Sequence, residues 1–214
     1  EENPVFSLIT CVIKSPLQVV EDTAAKLMAI ARSRVPVVIS SCPMGGATGA
    51  FDEFGMVAQI NAELIAGVTL HQLACPNAPV LYGAVPVRTR LDNLNDMYGA
   101  PEVVHYTIGC AQMARHYGLP CYSTAGVADT SVPGIQATAE KLLTILNVPR
   151  SGAQYIHYAF GLLERTNVFC PEQAVMDDAH IDLAKRVLRE PDVTEAGRES
   201  VLAVMREVMA SSHK

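Results

Sequence analysis

The sequence predicts an α/β fold built from parallel βα units, and three observations carry that prediction. Five short runs rich in β-branched and aromatic residues, Phe6–Ile13, Val35–Cys42, Pro79–Val85, Leu119–Thr124 and Gln154–Phe160, are each followed by a segment of helical character. The runs start roughly 30 to 45 residues apart, the spacing of strand–helix–strand crossovers in a parallel sheet. Only 18% of the 214 residues are charged and 50% are hydrophobic, as expected where a sheet is covered on both faces and where subunits meet in a homo-oligomer.

After the first strand, Ser15-Pro16 reads as the N-cap and N1 proline of a helix. Leu17, Val20, Ala24, Leu27 and Ala31 then form its apolar face. The second strand leads into Pro43-Met44-Gly45-Gly46-Ala47-Thr48-Gly49-Ala50-Phe51. Three glycines between a strand and a helix let the backbone come close to something small, in α/β folds usually a ligand at the carboxyl ends of the strands. The second helix is predicted from Asp52 to Leu73, with Asp52 and Glu53 favourable at its positive end. The third covers Glu102 to Tyr117 and is stopped by Gly118 and Pro120. The fourth covers Ile135 to Leu146, and two more follow the last strand, Pro171–Arg189 and Thr194–Met209. Val-Pro-Val, Ala-Pro-Val and Leu-Pro-Cys each open a strand with proline where a ladder donor is not yet needed. No low-complexity tract or linker interrupts the chain, so residues 1–214 read as one domain.

A (β/α)8 barrel usually takes about 250 residues, and five strands do not close one. The chain is therefore either an open sheet or the later part of a barrel. A dinucleotide-binding sheet would carry a glycine-rich turn after its first strand, where this chain has Lys14-Ser15-Pro16.

A formal charge of -6 and a pI near 5.5 leave no electrostatic footprint for nucleic acid. The six cysteines are scattered, none in a CxxC pair, and read as small buried residues in a reducing compartment; no zinc-ligand spacing is present. No apolar run reaches the roughly 20 residues of a membrane span. With no signal-like opening the expected location is the cytoplasm, and a first residue other than Met points to processing or to a longer chain.

Residues at strand ends are the candidates for chemistry. They are Gly45 and Gly46 after the second strand, Tyr82, Arg88 and Arg90 near the third, Tyr122, Asp129 and Ser131 after the fourth, and Tyr158 and Phe160 on the fifth. Tyr82, Tyr122, Tyr158 and Phe160 either form a cation–π cage for a quaternary ammonium group or pack an interior. Alternation puts Tyr158 and Phe160 on one face with Ile156, and Tyr155 and His157 on the other. Glu63, in the second helix, is either solvated or buried against Arg88 or Arg90. Those two arginines either clamp a carboxylate or cap a rim. No Ser-His-Asp or Cys-His order stands out, so no catalytic residue is assigned.

Cys42-Pro-Met-Gly-Gly-Ala-Thr-Gly-Ala, Asn61-Ala-Glu-Leu-Ile-Ala-Gly, Asn77-Ala-Pro-Val-Leu-Tyr-Gly, Tyr117-Gly-Leu-Pro, Gly126-Val-Ala-Asp and Gln136-Ala-Thr-Ala-Glu-Lys together resemble the trimethylamine methyltransferase (MttB-type) family, in the right order over nearly the whole chain. The resemblance implies the later strands of a TIM barrel. It also implies methyl transfer from a small methylated amine to the Co(I) of a separate corrinoid protein, so that cobalamin comes with that partner and this chain binds no cofactor or metal directly. Archaeal members carry pyrrolysine; the sequence has none, and the matching position falls at Ser131 in the loop Ala128–Pro133. Members without it resemble glycine-betaine-type enzymes, which makes a quaternary amine the expected substrate. Another barrel lyase or decarboxylase acting on a carboxylate, or a non-catalytic barrel piece, are the alternative readings.

Overall fold

Five parallel strands pair strictly in chain order: β1 (Leu8–Thr10), β2 (Val37–Ser41), β3 (Val80–Ala84), β4 (Cys121–Thr124) and β5 (Tyr155–His157). Between and after them run α1 (Glu21–Arg32), α2 (Glu53–Ala74), α3 (Pro101–His116), α4 (Ile135–Arg150), α5 (Pro171–Leu188) and α6 (Glu195–Ala210). The structure is a computed structural model and describes residues 6–191 and 193–211.

Every step along the sheet moves in the same direction. With right-handed crossovers this puts the connecting helices on one side, whereas a doubly wound sheet reverses and is covered on both. Ile39, Tyr82 and Cys121 align across three strands on the helix side. They pack there with Leu27, Met56, Ile60, Leu64 and Tyr106. The adjacent row, Ser40, Gly83, Tyr122 and Tyr155, lies on the inner face. That face is closed by strand and loop residues, including Val38, Val85, Val87, Tyr98 and Val127. The all-buried run of β2 is what a strand covered on both faces requires. The architecture is an α/β, forward-wound parallel sheet, compatible with an arc of a (β/α)8 barrel.

Most element ends follow local chemistry. Asp52 caps α2, accepting from Gly55 N at 2.7 Å, and Pro101 occupies the first turn of α3. Helix α4 runs beyond Leu146 to Arg150 because Ile145 and Val148 are buried against α5 and β5, and Pro149 in the last turn forfeits only one helical bond.

Three expectations are corrected. Ser15-Pro16 does not start a helix. It lies in the turn of a small antiparallel ribbon, Ile13–Lys14 against Gln18–Val19, and α1 begins at Glu21. The cause is tertiary: Glu63 of α2 accepts from Ser15 Oγ and Leu17 N, so the residues meant for capping serve another helix. Leu17 is accordingly exposed, while Ala24, Leu27 and Ala31 keep the apolar face. The first strand is shortened by the same ribbon, with only Leu8–Thr10 in the sheet. All six cysteines are free, but only Cys110 and Cys121 are buried; Cys11 and Cys42 are exposed just past the ends of β1 and β2.

Buried His71 on α2 gives a pH prediction. Gln72, its amide oriented by Ala78 O and Asn77 N, donates to Nδ1 at 3.0 Å, which leaves the proton on an unpartnered Nε2. Burial lowers the His71 pKa below 6.5. Between the two pKa values the unfolded chain binds more protons, so stability is lost as pH falls below about 6.5. Melting temperature is expected to drop between pH 7.5 and 5.5, and to drop less in His71→Leu; equal slopes would show that other groups carry the effect.

Candidate active site

The glycine-rich turn is filled by the protein itself. Met44–Gly45 pairs with Val87–Arg88, and Val87–Thr89 pairs with Asp96–Met97, forming a second small sheet past the strand ends. A Cβ on Gly45 would sit 2.8 Å from the Tyr106 hydroxyl, and Gly46 has φ +96 with Phe51 and Leu91 alongside. These glycines admit Tyr106 and a left-handed turn, and the space expected for a ligand is occupied by side chains.

The tyrosines divide between two layers. Tyr82 is fully buried on the helix side, its hydroxyl donating to Asn61 Oδ1 at 3.1 Å. Tyr122, one strand over and one residue out of step, is on the inner face, where Tyr155 is its direct partner on β5. A cluster assembles around it. The Tyr122 and Tyr155 rings lie 5.2 Å apart, His157 stacks on Tyr158 at 3.7 Å, and Tyr98 meets Tyr158 edge-on at 6.5 Å. The Tyr122 hydroxyl bonds His157 Nδ1.

The expected alternation on β5 fails at one residue. Tyr158 has φ +69, which ends the strand and folds its ring back over His157. It therefore joins Tyr155 and His157, while Ile156 and Phe160 face α4 and α5, lining an apolar groove of about 360 Å³. Burial lowers the His157 pKa and raises those of Tyr98, Tyr122 and Tyr158. Those four groups are therefore uncharged at neutral pH, and the ring faces attract a cation.

Beside it lies a polar cleft of about 440 Å³, formed by the turn 90–97, the loop after β4 and the segment after β5. Asp129, which lines the cleft, accepts from Tyr98 N at 2.7 Å and Gly99 N at 3.1 Å, so the cleft and the aromatic cluster are joined through the backbone at Tyr98. Burial pushes the Asp129 pKa up, opposed by those two bonds, with Glu140 and Asp96 adding to the rise. Ser131 is exposed and lines the cleft. Arg90 also lines it, ion-paired to Asp92 at 2.8 Å with both side chains 59% exposed.

Arg88 and Arg90 do not converge, and neither partners Glu63. Arg88 is buried; it donates to the Tyr106 hydroxyl at 3.0 Å and sits 3.9 Å over the Phe51 ring. The strand ends at Thr89, so Arg90 leaves its line. Glu63 is buried as one reading had it, but its acceptors serve Ser15, Leu17, Ser41 and Gln59. Tyr98, Tyr155, His157 and Arg165 stand in this region although the sequence reading assigns none of them to the candidate site. Tyr155 was legible from its alternation with His157; Tyr98 and Arg165 stand in irregular chain without periodicity.

The sequence profile described as trimethylamine methyltransferase (MTTB) matches residues 1–214. The chain belongs to the trimethylamine methyltransferase (MttB) family. Its MttB relatives include trimethylamine methyltransferase MttB of Desulfitobacterium hafniense (strain DSM 10664 / DCB-2), 33% identical over 194 residues, covering 91% of this chain and 39% of that protein. Trimethylamine methyltransferase MttB of Methanosarcina barkeri (strain Fusaro / DSM 804) is 32% identical over 194 residues, 91% of this chain and 39% of that protein. A glycine betaine methyltransferase of Desulfitobacterium hafniense (strain Y51) is 32% identical over 179 residues, 83% of this chain and 37% of that protein. The chain thus spans about two fifths of the length of the curated MttB relatives it matches. Among the described residues no three His, Cys, Asp or Glu side chains gather as metal ligands, and no helix is long and apolar enough to cross a membrane.

Proposed function

We propose that this chain is a single partial TIM-barrel domain that binds a methylated amine and presents one methyl group to the Co(I) of a separate corrinoid protein. The observation that carries the reading is the aromatic cluster of Tyr98, Tyr122, Tyr155, His157 and Tyr158, which runs along the inner face of β4 and β5 to the carboxyl end of β5. Family membership and the forward winding of the sheet support it. The relative named glycine betaine methyltransferase, and a chain without pyrrolysine, support a quaternary amine as donor. Six unpaired cysteines support a cytoplasmic setting. Exposed Val201, Met205 and Val208 on α6 support self-association.

The cobalt, held by the partner, supplies the electron pair for the new bond to carbon. The electrons of the broken C–N bond stay on nitrogen, so a quaternary donor leaves as a neutral amine and no acid is required. What remains for this chain is to hold the cation, aim one methyl outward and exclude water. Ring faces do the first, and the rigid inner row of β4 and β5 fixes the aim.

The test mixes the protein with a reduced corrinoid protein and a series of methylated amines. Loss of Co(I) absorbance is expected with a quaternary amine such as glycine betaine; no loss with any methylated amine overturns the reading. Within it, Tyr158→Ala is expected to weaken amine binding roughly tenfold while the fold persists. Tyr82→Phe, on the other face, is expected to cost about 1 kcal/mol of stability through the lost bond to Asn61 and to leave amine affinity unchanged. Titration calorimetry and thermal melts on both variants check the pair.

A further inference from the structure

We infer that Arg165 reads a carboxylate on the substrate, so that the polar cleft selects a zwitterion, a methylated amine with a carboxylate near its nitrogen, over a bare methylated cation. This rests on the methylamine reading above and adds the residue that sets its specificity. Arg165 lines the cleft with its side chain 21% exposed. Its nearest carboxylates, Asp96 at 3.7 Å and Glu164 at 3.8 Å, are beyond hydrogen-bond length. Among the described residues no acceptor takes a hydrogen bond from its guanidinium, a planar group whose paired N–H donors match a carboxylate. Arg88 is spent on Phe51 and Tyr106 and Arg90 on Asp92, so Arg165 is the arginine of this site left with free donors.

Its placement is held against local preference. Glu164 and Arg165 are consecutive non-glycine residues at φ +46 and +68. They are kept there by Glu164 N donating to Thr130 O at 2.7 Å and Arg165 N to Ala128 O at 2.9 Å. Such strain persists only where surrounding structure over-determines it, and it collects at ligand clamps. The cleft is lined by the acids Asp96, Asp129, Glu140 and Glu164, which outnumber Arg90 and Arg165. A cleft of mixed sign with excess negative charge repels a simple carboxylate. It suits a ligand whose cation, held by the ring faces, offsets the nearby acids while its carboxylate reaches Arg165.

The test is titration calorimetry of the purified protein with glycine betaine, choline and trimethylamine; the first two share a trimethylammonium group and differ in the carboxylate. Wild-type protein is expected to prefer glycine betaine. Arg165→Gln should weaken glycine betaine roughly 10- to 100-fold and change choline less than twofold. Arg165→Lys should fall between, keeping charge without the planar fork, and thermal melts confirm that both variants fold. If Arg165→Gln weakens both ligands equally, or neither, the inference is overturned. Binding of choline or trimethylamine without glycine betaine would overturn it too while leaving the methylamine reading standing. Failure of the wild type to bind any of the three would remove both.

Discussion

Replacing Lys141 with Met is expected to cost about 3–5 kcal/mol of folding free energy, the range for removing one partner of a buried ion pair. Lys141 Nζ lies 2.8 Å from Asp177 Oδ2 and both side chains are 0% exposed. Surface pairs such as Lys26–Asp22, with side chains 64% and 74% exposed, contribute well under 1 kcal/mol by contrast. The difference is solvation. Water replaces a lost surface partner, whereas in the dry site no water takes the place of Lys141 beside the Asp177 carboxyl. Gly161 N and Gln173 Nε2, each at 2.8 Å, would still donate to it, which softens the loss without supplying a counter-charge. Lys141 also donates to Gly126 O at 2.5 Å, so one ammonium ties the loop after β4, the turn after β5 and helix α5 together. Urea denaturation should show the full loss in Lys141→Met and substantial recovery in Lys141→Met with Asp177→Leu, where no charge stays buried. A single variant as stable as the parent would mean that water reaches the site. Since the loop and segment joined there carry Asp129, Tyr158 and Arg165, amine affinity should fall with stability in the single variant.

Glu63→Ala is expected to cost about 3 kcal/mol or more, and Glu63→Gln about half of that. The carboxylate is 1% exposed and accepts four hydrogen bonds, from Ser15 Oγ at 2.7 Å, Ser41 Oγ at 2.6 Å, Leu17 N at 3.1 Å and Gln59 Nε2 at 3.0 Å. Alanine leaves all four donors without an acceptor. Glutamine serves two of them with its oxygen, and its amide can face the two serines, whose hydroxyls rotate to accept. A backbone N–H has no such freedom, so the Gln59 and Leu17 side of the site decides which way the amide points. Calorimetric melts would measure both variants. Equal losses would indicate that the negative charge, not acceptor geometry, is what the ribbon 13–19 needs from α2. Either way Glu63 is an anchor for the chain between β1 and α1 and stands apart from the aromatic cluster.

Where a residue's role depended on its sequence neighbours, the sequence was legible. The second helix begins beside Asp52 and the third within one residue of Glu102, as expected, and Val37 to Ser41 form the buried strand within the run Val35–Cys42. Ser15-Pro16 had the same kind of signal and failed, because Glu63, 48 residues from Ser15, accepts from the Ser15 hydroxyl and from Leu17 N and holds these residues in a ribbon turn instead of a helix end. The candidate site was legible in kind and blurred in membership. Aromatic rings do gather, along the inner face of β4 and β5. Tyr122 and Tyr158 are among them, Tyr82 and Phe160 are not, and Tyr98 and Tyr155 join.

Local pattern was enough to set the order and type of the elements, the parallel pairing of the strands and the absence of an electrostatic surface for nucleic acid, while the forward winding came from the strand order in the structure. Periodicity, proline and glycine placement and net charge are properties of short windows or of composition. Which face each tyrosine took, which acceptor each arginine found and where Arg165 points came only from packing in three dimensions. Strand side chains have period two, so a one-residue offset between Tyr82 and Tyr122, or one left-handed residue at Tyr158, moves a ring to the opposite layer. Buried polar groups meanwhile bond whichever partner the fold brings within about 3 Å, regardless of distance along the chain.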